Sequence, residues 1–104
     1  MELKKLILFI NHIIDYAYKN EYKVDIQADD EYEDLTIHVS ASRDPGMPTF
    51  HRLIHINYYK IFDSYRPDIL AEEYMKKVSC SIEDMIERER LCKEFRRSEL
   101  TERG

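Results

Sequence analysis

Apolar residues recur at spacings of three and four through the first stretch of the chain. Leu3, Leu6, Ile7, Ile10, Ile13, Ile14 and Ala17 share one helical face, which Leu8, Phe9, Tyr16 and Tyr18 widen. This spacing predicts a helix over residues 2–19 with Asn20 as its stop. The period then drops to two. Tyr22, Val24, Ile26 and Ala28 alternate with Lys23, Asp25 and Gln27, and Leu35, Ile37, Val39 and Ala41 alternate with Thr36, His38 and Ser40, which predicts strands over 22–28 and 35–41. The acidic run 29–34 is the turn between them, and 42–49, with Pro45-Gly46 and Pro48, is a loop. A third strand is expected from Phe50 to Ile61, with Phe50, Ile54, Ile56 and Tyr58 facing the core and Arg52 breaking that face near its open edge. Pro67 and Asp68 open a helix carrying Leu70, Tyr74 and Val78, with Ala71 and Met75 beside them. Ser79-Cys80-Ser81 is a candidate break, with Ser81 and Asp84 resembling a capping box for a second helix to about residue 98. One unbroken helix is the alternative.

The pattern predicts an α+β fold: a three-stranded antiparallel meander with an N-terminal helix and one or two C-terminal helices packed on one face, α-β-β-β-α(α). Residues 1–98 are expected to form a single domain and 99–104 a frayed tail. The 104 residues are 43% hydrophobic with 12 aromatic side chains, too apolar for a disordered chain despite a charged fraction of 36%. With only Gly46 and Gly104, no phosphate loop, dinucleotide fingerprint or nucleophile elbow can be written.

A net charge of −5 argues against a general nucleic-acid binder. Cys80 and Cys92 make no disulfide framework and no metal ladder; a reduced, cytoplasmic setting is expected, with both packing as small apolar groups. Leu6 to Ile10 is too short an apolar run for a signal peptide, and no membrane span is expected. Twelve isoleucines against four alanines resemble the usage of an AT-rich genome, such as a low-GC bacterium or its phages, an association without physical content.

Three features are candidates for function. His38, His51 and His55 share the outward parity of strands 2 and 3, on a face with Thr36, Ser40, Leu53, Asn57 and Tyr59. If the 42–49 loop closes a hairpin, position 38 lies near 53, between the other two histidines. His38 with either one makes a two-histidine half-site, and no Cys, Asp or Glu is expected beside them to complete zinc's three or four ligands. The face suits a protein-binding surface, and equally an ordinary solvated sheet face. Second, Glu21, Asp25, Asp29, Asp30, Glu31, Glu33 and Asp34 stand against the lone Lys23, with Tyr22 and Tyr32 among them. The run lacks the spacing of a calcium-binding EF-hand loop. It is either a solvated turn or a surface that mimics nucleic acid to occupy a basic groove. Third, Leu91, Cys92 and Phe95 project away from the Ile82, Met85 and Ile86 face, so either the helix bends over the domain edge or they bury against another chain as a homodimer interface, the reading adopted.

The helix, meander, helix order resembles that of double-stranded RNA-binding domains in topology only. Those domains place a lysine cluster at the start of the last helix, where this chain has Arg66-Pro67-Asp68 and then Glu72-Glu73. Lys76 and Lys77 come too late, so the assignment is rejected.

The expectation is a non-catalytic interaction module without cofactor, dimeric, that regulates or inhibits another protein. Its partner-binding residues would be Asp29, Asp30, Glu31, Tyr32, Glu33, His38, His51, Leu53, His55 and Tyr59. The alternatives are an acidic inhibitor of a host or defence enzyme and a histidine-based metal binder.

Overall fold

The computed structural model describes the backbone of residues 2–103 and the side chains of residues 3–96. Helix α1 spans Glu2–Lys19, strands β1, β2 and β3 span Lys23–Asp29, Asp34–Ala41 and Phe50–Asn57, and helices α2 and α3 span Tyr58–Phe62 and Pro67–Arg103. The strands form an antiparallel meander in the order β1-β2-β3. The α+β order read from the periodicity is therefore present.

The core lies on one face of this sheet. Leu35, Ile37 and Val39 of the central strand, with Ile54 and Ile56 of β3, are buried under Phe9, Ile13 and Ala17 of α1 and Ala71, Met75, Ile82 and Ile86 of α3. On α1 the buried stripe is thus narrower than its apolar sequence, since Leu3, Ile7 and Ile14 stay outside it. On α3 Leu70, Tyr74 and Val78 only flank the core.

Local chemistry sets the boundaries. Helix α1 ends in a Schellman motif: Tyr22 N–H donates to Ala17 O at 2.9 Å and Glu21 N–H to Tyr18 O at 3.4 Å, around Glu21 at φ 60°. Asp29 Oδ1 accepts from the backbone N–H of Glu31 (3.1 Å) and Tyr32 (3.2 Å), which closes the β1–β2 turn. Gly46, at φ 82° after Pro45, turns the β2–β3 loop, with Met47 N–H donating to Asp44 O at 3.1 Å.

One expectation fails at an element end, and of the two readings of the C-terminal segment the unbroken helix is the one present. The third strand stops at Asn57 rather than Ile61, because the Asn57 side chain accepts from Tyr59 N–H at 2.9 Å and caps α2. Tyr58 N–H meanwhile donates to Glu33 O at 2.7 Å, so both Tyr58 and Ile61 are buried from a helix. The C-terminal segment is one helix of 37 residues, unbroken at Ser79-Cys80-Ser81. Neither serine is left to cap a break: Ser79 Oγ bonds the Tyr22 hydroxyl at 2.7 Å, and Ser81 Oγ accepts from Arg52 Nε at 2.7 Å. Arg52, the charge on the core-facing side of an edge strand, thereby reaches across to α3. The helical backbone runs on to Arg103 through the segment expected to fray, and Gly104 lies outside the described residues.

The molecule is long. Its extents are 66 × 25 × 18 Å and its radius of gyration is 17.7 Å, against about 13 Å for a compact domain of this length. The accessible surface of 7617 Å² exceeds the roughly 6,200 Å² of a compact protein of this mass. Helix α3, about 55 Å along its axis, carries no buried residue past Ile86 among those described. No helix among the described residues is long and apolar enough to cross a membrane.

Candidate functional site

All three helices pack on or beside the core face, so the other face of the sheet is open. Pairing fixes its rows: Lys23–Ser40–His51, Asp25–His38–Leu53, Gln27–Thr36–His55 and Asp29–Asp34–Asn57. Position 38 lies opposite 53, as the hairpin reading expects. Tyr59 does not belong to this face: it sits on α2, its ring edge-on to Phe62 with centroids 6.2 Å apart. Carboxylates do, contrary to expectation. Asp34 belongs to β2 rather than to the turn, and Asp25 stands directly across β1 from His38.

The histidine trio divides. His38 Nε2 and His51 Nδ1 are 2.8 Å apart, with ring centroids at 4.8 Å and planes at 9°. Two nitrogens this close lie nearer than stacked faces approach, so the rings meet edge to edge and share a hydrogen. His55 turns the other way. Its Nε2 is 3.2 Å from Asp34 Oδ2, its Nδ1 is 3.1 Å from Thr36 Oγ1, and Asn57 Nδ2 donates to Asp34 Oδ1 at 3.2 Å. A carboxylate only accepts, so Nε2–H donates to Asp34, and in that neutral tautomer Nδ1 accepts from the Thr36 hydroxyl. Hydroxyl, imidazole and carboxylate thus stand in the order of a nucleophile relay. However, Thr36 lies in the central strand, whose backbone is paired on both sides, so its neighbours offer no N–H pair for an oxyanion. Among the described residues no three metal-ligating side chains converge.

Beside the His38–His51 pair lies an open groove of about 500 Å³ lined by His38, His51, Arg52 and Leu53. Leu53, which helps line it, is 67% exposed.

The acidic segment is partly built into the fold. Asp29 holds the turn, Asp30 Oδ1 accepts from the Tyr58 hydroxyl at 3.0 Å, Asp34 holds His55, and Glu33, at φ 55°, supplies the carbonyl that receives Tyr58 N–H. Burial and the Asp30 bond raise the Tyr58 hydroxyl's pKa. Glu31 and the 69%-exposed Tyr32 form the outer tip.

At the far end of α3, Leu91, Cys92 and Phe95, with Arg96, line an open groove of about 420 Å³. Leu91 and Phe95 are exposed while Ile82 and Ile86 are buried, so the two stripes read from the sequence are separate. Cys80 and Cys92 are free and exposed rather than packed.

Sequence reasoning missed the outer stripe of α1. Leu3, Ile7 and Ile14, four and seven residues apart, are about half exposed or more, and Tyr18 continues the row. Their spacing carried the signal, because seven apolar positions in one helix exceed what a three-stranded sheet covers. Comparison with protein-family models, with curated proteins and with solved structures finds no match.

Proposed function

We propose that this chain is a non-enzymatic protein-interaction module that self-associates and acts by regulating or inhibiting a partner protein. The observation that carries the reading is the α1 stripe of Leu3, Ile7 and Ile14, an apolar row that the chain's own core leaves uncovered. Leu91 and Phe95 on α3 and Leu53 on the open sheet face are smaller surfaces of the same kind. The relay at Thr36 lends no support to catalysis, since its backbone surroundings supply no transition-state donors.

Magnitudes set the strength of self-association. Full burial of a Leu or Ile is worth about 1.5–3 kcal/mol, and these side chains are already partly covered. Two copies contribute roughly 5–9 kcal/mol, against an association cost of about 4–15 kcal/mol. The favourable end of these ranges leaves about 5 kcal/mol, a dissociation constant of a few tenths of a millimolar, so any self-association is weak and concentration-dependent. Nucleic-acid mimicry draws less support, because Asp29, Asp30 and Asp34 already hold turn and strand partners.

Sedimentation at high micromolar concentration tests the reading. The wild type is expected to dimerise, and Ile7→Asp with Ile14→Asp to weaken the dimer at least about tenfold with unchanged circular dichroism. A chain that stays monomeric throughout, or a dimer indifferent to that pair of substitutions, removes the proposal.

A further inference from the structure

We propose that His38 and His51 form a two-imidazole site for a divalent transition metal of the copper(II) or nickel(II) type on the open sheet face. The inference does not rest on the docking reading. It starts from two facing nitrogens 2.8 Å apart that share a single hydrogen, so one lone pair already points at the other ring.

Ligand number selects the metal. Metal–imidazole bonds of about 2.0–2.1 Å place neighbouring nitrogens about 2.8–3.4 Å apart, which the His38–His51 pair can reach once the rings turn. Among the described residues no third ligating side chain joins them, short of the three or four that zinc takes from protein. A tetragonal ion can instead complete its plane with water. Among divalent ions of tetragonal habit, imidazole favours copper and then nickel. Both side chains are outward-facing, and each ring needs to turn by roughly 45° about its terminal torsion, which is soft for histidine.

The surroundings accommodate an ion. The pair borders the groove of about 500 Å³, which leaves room for water at the remaining positions. Asp25, directly across from His38 on the same face, adds negative charge, offset by Lys23 opposite Ser40 and by Arg52, which lines the same groove and donates to the His51 carbonyl at 3.3 Å. His55 stays out of the site because Thr36 and Asp34 hold its two nitrogens. Coordination requires no net proton release. The ring that held the gap hydrogen changes tautomer: that proton leaves to water and its outer nitrogen takes one up from water, so that both rings end with N–H on the outer nitrogen, Nδ1 of His38 and Nε2 of His51.

The test uses the full chain with Cys80→Ser and Cys92→Ser, which removes two exposed thiols that would otherwise bind or reduce copper(II). Copper(II) chloride is titrated calorimetrically and followed by electron paramagnetic resonance, with nickel(II) chloride as second probe. One equivalent per chain with two coupled nitrogens is expected. His38→Ala or His51→Ala should each weaken binding by about tenfold or more, whereas His55→Ala and His12→Ala leave it within about twofold. In proton spectra, the His38 and His51 imidazole signals should broaden before those of His12 and His55. No saturable binding, binding unchanged in the His38→Ala/His51→Ala double variant, or equal loss on replacing His55 would overturn the proposal.

Discussion

Arg43 gathers more of the structure than any other single side chain described. It donates to the carbonyls of Glu21 (3.0 Å) and Asn20 (2.9 Å) at the end of α1 and to Glu83 Oε1 (2.7 Å) on α3, and it lies 4.8 Å over the Tyr22 ring. Glu83 also accepts from the Tyr22 hydroxyl at 2.7 Å, and a proton spent there leaves Ser79 to donate to Tyr22. Replacing Arg43 by Ala strands two helix-end carbonyls and a carboxylate, so a loss of about 2–3 kcal/mol is expected in urea denaturation. The Arg43 bond holds the Glu83 carboxyl below the ordinary glutamate range, and burial raises the Tyr22 hydroxyl above the ordinary tyrosine range. The depressed Glu83 contributes stability that is present above its unfolded value, about 4.3, and is lost as pH falls through the lower folded value. Tyr22 contributes below its unfolded value, about 10, and that contribution is lost as pH rises through the folded value. Glu83→Gln should therefore flatten the acid side of a stability–pH curve, measured by chemical denaturation, and reduce without abolishing the alkaline side, because burial raises the Tyr22 hydroxyl more than Glu83 does. Glu21 offers the opposite case. A side chain at φ 60° is strained, and its ion pair with Arg43 is long at 3.6 Å, so Glu21→Gly is expected to raise the melting free energy by about 0.5–1 kcal/mol.

Which of these features a sequence reveals depends on whether periodicity carries them. β1, β2 and the first part of β3 were legible because one buried face imposes strict alternation. Tyr58 continued that alternation after Ile54 and Ile56, and so concealed a helix start that only the Asn57 cap announces. Asn57→Ala should cost about 1 kcal/mol in thermal denaturation, most of it from loosening α2. The outward parity of the three histidines was likewise legible, but not their partition. His51 and His55 are equivalent diagonal neighbours of His38 in the register, and only the capture of His55 by Asp34 and Thr36 leaves His51 to pair. Asp34 was hidden because a run of acids reads as a turn, although its last member is the first residue of a strand. Arg43 was illegible for a plainer reason: its partners are 21 to 40 residues away.

At the scale of the whole molecule, the near end of α3 belongs to the core and the far end does not. Ile86→Ala should cost about 2–5 kcal/mol, whereas Leu91→Ser with Phe95→Ser should leave the unfolding free energy within about 0.5 kcal/mol, both read from denaturant melts of dilute protein. The last links between α3 and the rest of the described chain are Arg90 to Asp44 and Lys93 to the Gly46 carbonyl, both at the β2–β3 loop. Phe95 stands about 14 Å along the axis beyond Ile86. A molecule gripped by that outlying rod would leave the imidazole-bearing surface unobstructed. The rod leaves the fold beside the β2–β3 loop on the helix-bearing side of the sheet, and the imidazoles stand on the other.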